Sequence, residues 1–289
     1  MRRTFLFWII AFVVTLASAY YQRITGPTYP LSGTVNIDGE KVNYKLNRSH
    51  STSADCPVLI KINKSDVSGI LMWKRFKTDD AWTPEVMHYK DGELSGFLPK
   101  QPAAGKLQYS VLLGTGEQQI SVPPAGNVVI RFKGDVPLFI LIPHILAMFG
   151  TMLLSTRTAL ECFAKEGKIK KYTWWTLGFL IAGGMILGPI TQKYAFGALW
   201  TGFPFGMDLT DNKTLIALIG WILAAAALYK FKKPKVYIIG AAALLLIVFM
   251  IPHSMFGSEL DYNKIEKKKD NIENINTYQH QTSKSEVLL

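Results

Sequence analysis

The sequence predicts a mixed membrane protein, in which an exported, immunoglobulin-like antiparallel β-sandwich precedes a four-helix transmembrane bundle. Three observations support this prediction. Of the 289 residues, 49% are hydrophobic, and they are clustered in long blocks. Residues 20–135 instead show short alternating runs divided by turn signals, as is typical of strands. Basic residues collect between alternate apolar blocks, which is the pattern of a membrane topology.

Residues 1–19 resemble a secretory signal. Arg2 and Arg3 form a basic start, residues 5–16 are apolar, and small residues follow at 17–19. The apolar run is shorter than the roughly 20 residues that a membrane span needs. The pattern therefore fits both a signal peptide that is cleaved and a signal-anchor helix that is retained. Either alternative predicts that the next segment is exported.

Residues 20–135 are expected to form the sandwich. Turn signals such as Asp38-Gly39 and Asp91-Gly92 separate the runs, and this number and spacing of short strands favour an immunoglobulin-like or fibronectin-III-like domain. Trp73 is expected in its core, and Tyr109 is expected to make a corner hydrogen bond. The predicted strands are GTVNI, KVNYKL, PVLIKI, GILMWKRF, EVMHYK, LSGFLP, KLQYSVLL, QQISVP and NVVIRFKG.

Residues 136–256 contain four apolar runs, each near the length of a transmembrane helix. The predicted spans are 136–154, 172–190, 214–229 and 236–252. Basic residues lie between the first and second spans and between the third and fourth, whereas loop 191–213 carries only Lys193 and Lys213. By the positive-inside rule, the loop faces the outer side of the membrane, together with the sandwich and the polar tail 257–289, which is predicted to be disordered.

The same placement of basic residues accounts for the formal net charge of +11, so nucleic-acid binding is not expected. The two cysteines, Cys56 and Cys162, fall on opposite sides of the membrane in this topology, and no disulfide between them is predicted.

Two histidines, His144 and His253, are candidate site residues because each follows an Ile-Pro pair in or beside a predicted span. Ionisable groups in a membrane are costly and often functional. These side chains could ligate haem, copper or another metal, or hydrogen-bond a quinone. Alternatively, each neutral imidazole only bonds a neighbouring helix. Met148 lies one helical turn from His144 and could add a thioether ligand, although methionine is also a common packing residue.

Loop 191–213 supplies three further candidates, Trp200, Asp208 and Asp211. Two carboxylates near the histidines could complete a metal site or relay protons. Asp211 directly precedes the third predicted span and is also expected to be its N-cap, whereas Asp208 has no such structural role. Together with the two histidines, these residues are predicted to form an outward-facing polar site.

No catalytic motif is present in the sequence, which lacks Walker A, HExxH, GxSxG and CxxCH patterns. The leading hypothesis is therefore an interaction or assembly module without enzymatic activity, whose partners are the lipid bilayer and other membrane or periplasmic proteins. The alternative is a redox or metal-handling protein that uses His144 and His253 with haem, copper or a quinone.

Three segments carry a resemblance to a known group of proteins. RFKGDVPLFILIPHILAMFG, QKYAFGALWTGFPFGMDLTDNKTLI and IPHSMFGSELDY are similar to a group of uncharacterised bacterial inner-membrane proteins. The resemblance covers the four-span part of the chain. It implies an inner-membrane location for that part, and it implies no activity, cofactor or site residue.

Overall fold

The computed structural model describes residues 2–116, 118–164, 167–252, 257 and 259–267. Within these residues, one helix comes first, two β-sheets follow, and a group of apolar helices comes after the sheets. We call residues 31–133 the β-domain and the helices the helical domain.

Eleven strands lie in the described part of the β-domain, and they include all nine runs predicted as strands. Met87 divides the run EVMHYK into two strands, and the short third strand was not predicted. The strands are β1 (Leu31–Ile37), β2 (Glu40–Leu46), β3 (Ser49–Ser51), β4 (Cys56–Lys61), β5 (Ser68–Arg75), β6 (Thr83–Val86), β7 (His88–Lys90), β8 (Glu93–Leu98), β9 (Lys106–Thr115), β10 (Gln118–Val122) and β11 (Val128–Lys133).

The two sheets bury one common core. The first has the order β1-β2-β4-β8-β7, and the second has the order β3-β11-β9-β5-β6 with β10 also paired to β9. Only the β3–β11 pair is parallel among the described pairs. Inward side chains of both sheets, including Ile60 and Tyr109, join one hydrophobic cluster, and Trp73 packs partly buried against it. The Tyr109 hydroxyl donates to the Asn47 carbonyl at 2.8 Å.

The helical domain contains six α-helices and one π-helical segment in the described residues. The third and fourth helices are continuous with each other through the π-helical segment. The elements are α1 (Arg2–Thr25), α2 (Leu138–Glu161), α3 (Ile169–Leu180), the π-helical segment (Ile181–Leu187), α4 (Gly188–Phe196), α5 (Leu209–Lys230) and α6 (Pro234–Met250).

The set of helices able to span a membrane differs from the prediction. Four helices in the described residues are long and apolar enough, namely Arg3–Thr25, Leu138–Glu161, Ile169–Phe196 and Leu209–Lys230. The first is the N-terminal helix, which continues to Thr25 and packs against α2 and α6. The predicted span 236–252 is instead the 17-residue helix α6. It ends at Met250, two residues before the predicted end, because Pro252 disfavours helical geometry at Ile251.

Contacts between remote segments define the two ends of the helical domain. At one end, Gln22 Nε2 donates to the Phe249 carbonyl at 2.5 Å, and Lys213 Nζ donates to the Ile251 carbonyl at 2.7 Å. Side chains of α1 and α5 therefore satisfy the carbonyls that end α6. The same end meets the β-domain, since Gly134 N–H donates to the Ala195 carbonyl at 2.9 Å.

At the other end, the start of α1 meets the end of α2 and the start of α3. Arg157 is fully buried and pairs with Glu161. Its guanidinium also lies over the rings of Phe7, Trp8 and Tyr172, at 4.9–5.4 Å from their centroids.

The polar tail begins with a segment that packs on the β-domain. We call residues 259–267 the tail segment. Glu259 accepts from Lys106 Nζ at 2.6 Å, and the Tyr262 hydroxyl donates to Gln101 Oε1 at 3.0 Å. The composition predicts disorder for this tail, because composition alone carries no information about these contacts with the remote β-domain. Residues 268–289 lie outside the described residues.

Candidate functional site

A cavity of about 140 Å³ lies where the β-domain meets the helical domain. We call it the junction cavity. Its walls come from β11, α2, the π-helical segment, α4 and the first turn of α5. The predicted site residues His144, Asp208 and Asp211 line it, as does the predicted metal candidate Met148. Sequence segments more than 60 residues apart thus meet at one place.

His144 occupies the helix-facing wall of this cavity. Its Nδ1 lies 2.9 Å from the Gly183 carbonyl oxygen. Because a carbonyl can only accept, Nδ1 must carry the proton, and Nε2 of the neutral imidazole is then an acceptor. No hydrogen-bond partner for Nε2 is found among the described residues. The sequence leaves open whether His144 binds a ligand or only hydrogen-bonds a neighbouring helix. The bond from Nδ1 to Gly183 is of the second kind, and it leaves Nε2 available for a ligand.

The π-helical segment explains how Gly183 comes to face His144. Pro189 has no N–H with which to continue the α-helical ladder, and the Gly188 N–H reaches the Gly183 carbonyl instead. A Cβ at Gly183 would lie 2.9 Å from both Ala147 Cβ and Met148 Sδ, so only glycine permits this close approach of α2. Short π-helical segments of this kind are frequent at functional sites.

A second cavity, of about 180 Å³, lies among α1, α2 and α6. We call it the membrane-level cavity. His144 and Met148 line both cavities. The remaining walls are mostly apolar and include Phe149, Met152 and Phe249. His144 therefore lies between a cavity with charged walls and a cavity with apolar walls.

The two aspartates have roles opposite to those predicted. Asp208 is the N-cap of α5, and its carboxylate accepts from the Thr210 N–H at 2.8 Å. Asp211 Oδ2 accepts from the N–H groups of Thr201 at 2.6 Å and Gly202 at 2.9 Å. Gln192 Nε2 donates to the same oxygen at 3.1 Å. The prediction that Asp211 is the N-cap is wrong because α5 begins at Leu209, five residues before the predicted span.

Two other predicted site residues are not brought to the cavity. The Trp200 indole N–H donates to the Phe203 carbonyl at 3.0 Å, and Trp200 is not among the residues that line either cavity. His253 lies outside the described residues. Across the described part of the chain, no three His, Cys, Asp or Glu side chains are grouped as metal ligands.

Arg131 is a site residue that the sequence analysis missed. It is buried in the wall of the junction cavity, and its guanidinium lies 3.8 Å from the Phe196 ring centroid. Burial lowers the pKa of Arg131 to about 10, and the carboxylates of Asp208 and Glu259 oppose that shift. The side chain therefore stays charged near neutral pH. No sequence pattern marked it, because Arg131 lies on the strand face opposite Ile130 and Phe132, where an arginine is normally exposed to solvent.

Thr191 and Lys213 were missed as well. The buried Thr191 hydroxyl lines the junction cavity and has no hydrogen-bond partner among the described residues. Lys213 is almost fully buried in the first turn of α5. Lysine in a helix long and apolar enough to span a membrane is itself a signal of a structural or functional role, and it could have been found from the sequence.

Comparison of the chain with protein-family models, curated proteins and solved structures gave no significant match. The resemblance to bacterial inner-membrane proteins stays a prediction.

Proposed function

We propose that the protein is a non-enzymatic binding module of the bacterial inner membrane, whose two domains together hold one amphipathic ligand. The observation that carries this proposal is the position of His144, which lines both the junction cavity and the membrane-level cavity. A molecule with a polar head group and an apolar chain has the same two-part character. Quinones and lipids belong to this class.

The junction cavity supplies the groups that would bind the head group. Arg131 brings a positive charge to the cavity wall, and Nε2 of His144 offers an acceptor. The buried Thr191 hydroxyl has no hydrogen-bond partner among the residues that the structure describes, and a buried polar group in this state costs free energy unless a ligand or water satisfies it. A few convergent polar groups beside a mostly apolar pocket are typical of small-molecule sites.

The way the β-domain is attached supports an interaction role. Gly134 joins it to α4 through the Ala195 carbonyl, and the tail segment ties it to the end of α6 through Glu259 and Tyr262. A domain held at both places keeps a fixed position over the cavity. We propose that ligand occupancy is presented in this way to other membrane or periplasmic proteins.

We further propose that the sandwich is immunoglobulin-like and lies on the periplasmic side. The Tyr109 hydrogen bond to Asn47 supports the fold, since a tyrosine corner is a feature of that class. The basic residues flanking the helices support the orientation, because they lie at the end of the helical domain away from the β-domain. These residues are Lys168, Lys170, Lys171, Lys230, Lys232, Lys233 and Lys235.

The test is the content of bound amphiphile in detergent-purified protein, measured by mass spectrometry of a solvent extract. Leu at Gly188 places a side chain in the junction cavity, where a Cβ would lie 3.7 Å from His144 Cε1. A Cβ at Gly240 meets nothing within 4 Å, so Gly240→Leu is the matched control. We expect a near-stoichiometric amphiphile in the wild type and in the control, and its loss in Gly188→Leu. Equal content in all three, or none in the wild type, would contradict the proposal.

Metal or haem binding is the second candidate function, and one observation favours it. Met148 and His144 line the same two cavities, and thioether with imidazole suits Cu(I). Elemental analysis and an absorption spectrum of the purified protein test this function. Copper, iron or haem that is present in the wild type and lost in His144→Ala would support it, provided that the variant still inserts. A metal-free and haem-free wild type would contradict it.

A further inference from the structure

The loop between α4 and α5 ends in an apolar tip formed by Phe203, Phe205 and Met207. These side chains are 63%, 83% and 83% exposed. Phe205 and Met207 are the most exposed large hydrophobic side chains in the described part of the chain. Adjacent exposed apolar side chains of this size are unfavourable in water and mark interaction surfaces.

Hydrogen bonds hold the backbone of this tip in one conformation. Asn212 Oδ1 accepts from the Phe203 N–H at 2.7 Å. The Asp211 carboxylate accepts from the N–H groups of Thr201 and Gly202, the two residues before Phe203. The N–H groups of Phe205 and Gly206 both donate to the Gly202 carbonyl at 2.9 Å. These contacts satisfy main-chain groups within the loop, which reduces the cost of moving the tip into a less polar medium.

The tip lies at the height where two candidate spans end. α4 ends at Phe196 and α5 begins at Leu209, and each is part of a helix long and apolar enough to cross a membrane. The end of α4 contacts the β-domain through Ala195, whereas the tip stays uncovered. Aromatic side chains are enriched at this level of membrane proteins, where the hydrocarbon meets the head groups.

We infer that the apolar tip inserts into the interfacial region of the leaflet beside the β-domain. The tip then anchors the start of α5, whose N-cap Asp208 and first-turn residue Asp211 line the junction cavity. This role is independent of any ligand in that cavity. Its partner is the lipid bilayer, and a second protein that covers the tip is the competing occupant.

The experiment places a nitroxide label on the full chain in nanodiscs of phosphatidylethanolamine and phosphatidylglycerol. Phe205→Cys and Met207→Cys carry the label at the tip, and Val86→Cys is the control because Val86 is 70% exposed on β6. The native Cys56 and Cys162 are buried, and wild-type protein treated with the label reports any reaction there. Collision with oxygen, which concentrates in lipid, is compared with collision with a water-soluble nickel chelate.

We expect oxygen collisions to dominate at positions 205 and 207 and nickel collisions to dominate at position 86. Water-like values at both tip positions would overturn the inference. Protection of the tip from both reagents would also overturn it and would indicate a covering protein. Normal elution and an unchanged unfolding transition are required of each labelled variant, and exposed sites are chosen so that these conditions are met.

Discussion

At the level of single residues, Asp208 and Asp211 show how two nearby carboxylates serve different structures. Asp208 accepts from the Thr210 N–H at the start of α5. Asp211 accepts from four donors outside its own helix, namely the N–H groups of Thr201 and Gly202, the Thr201 hydroxyl and the Gln192 amide. Both residues are buried in the wall of the junction cavity.

Asp211→Ala is expected to destabilise the protein more than Asp211→Asn. Removal of the Asp211 carboxylate leaves buried donors without an acceptor, at a cost of about 2–4 kcal/mol. Asparagine keeps one acceptor oxygen, so its cost is expected to be smaller. The free energy of unfolding in mixed micelles, measured by titration with a denaturing detergent, checks the order. Equal effects of the two substitutions would contradict it.

The sequence could identify these aspartates as site candidates but could not assign their roles. An N-cap is defined by where its helix begins, and hydropathy placed that start too late because residues 209–213 are largely polar. The acceptor role of Asp211 depends on the path of the loop at 201–202, which is set by contacts outside the helix. Arg131 was missed for a related reason, since its partner ring belongs to Phe196, 65 positions away (196 − 131).

At the level of elements, α1 has the contacts of a permanent member of the helical domain. Ala11, Thr15 and Ser18 are buried on one face of α1, and Gln22 binds the last carbonyls of α6. Ser18 also belongs to the small-residue motif that would mark signal cleavage. Cleavage after Ala19 would remove most of this face together with Phe7 and Trp8, two of the three rings that lie near the Arg157 guanidinium.

We therefore expect α1 to remain attached, which distinguishes the two alternatives left open by the sequence. The intact mass of the protein purified from a membrane should include residues 1–19. A mature mass that begins at Tyr20, in protein that is still folded, would contradict this expectation.

Trp8→Ala tests the packing of α1 directly. The Trp8 ring lies 5.3 Å from the Arg157 guanidinium, and loss of this contact costs about 1–2 kcal/mol through cation–π attraction and packing. Phe5→Ala is the matched control because Phe5 is exposed on the same helix. The unfolding free energy in micelles should fall in Trp8→Ala and stay nearly constant in Phe5→Ala. An equal loss in both variants would show that Arg157 does not depend on α1.

Elements of the two domains differed in how well the sequence predicts them. The strands were predictable because alternation of side chains is a local pattern, as in β2, where Val42, Tyr44 and Leu46 point inward. The π-helical segment was not predicted, because it depends on both Pro189 and the close approach of α2 to Gly183. The predicted span 236–252 has the same length as α6 but lies two residues too late, because hydropathy alone does not show that the helix ends before Pro252.

At the level of the whole molecule, the tail segment joins the end of the helical domain to the β-domain through charged groups. Although burial alone would raise the pKa of Glu259, hydrogen bonds from Lys106 and Lys77 lower it below its usual value. The hydrogen bond from Arg75 likewise lowers the pKa of Asp80, and Arg75 also pairs with Glu266.

Docking of the tail segment on the β-domain is therefore expected to weaken at acid pH. A carboxyl group whose folded pKa is lowered stabilises the fold fully above its unfolded pKa, which is about 4.3 for Glu. That stabilisation is lost as the pH falls through the lowered folded value. Hydrogen exchange of residues 259–267, corrected for intrinsic rates, should be slow near neutral pH and accelerate below about pH 4. Lys106→Met should accelerate this exchange already at neutral pH. An exchange rate that changes neither with acid pH nor with Lys106→Met would contradict the role of these ion pairs.

One close backbone contact joins the β-domain to α4. The Gly134 N–H donates to the Ala195 carbonyl at 2.9 Å, and a Cβ at Gly134 would collide with the Tyr194 carbonyl oxygen. The short connection between β11 and α2 was predictable from the sequence. The contact with α4 was not predictable, because it joins residues whose spacing carries no pattern.

Gly134→Ala is therefore expected to shift the β-domain away from α4 while leaving the cores of both domains intact. The collision involves backbone atoms, which cannot move aside as a flexible side chain would. Because β11 and α4 both line the junction cavity, the shift should also release the proposed amphiphile. Distances between spin labels at Val86→Cys and Phe231→Cys, which lie in different domains, measure the displacement. Gly240→Ala is the control, since its added methyl group meets nothing within 4 Å. An unchanged distance with full ligand content in Gly134→Ala would show that the junction tolerates the methyl group and that this contact does not set the domain arrangement.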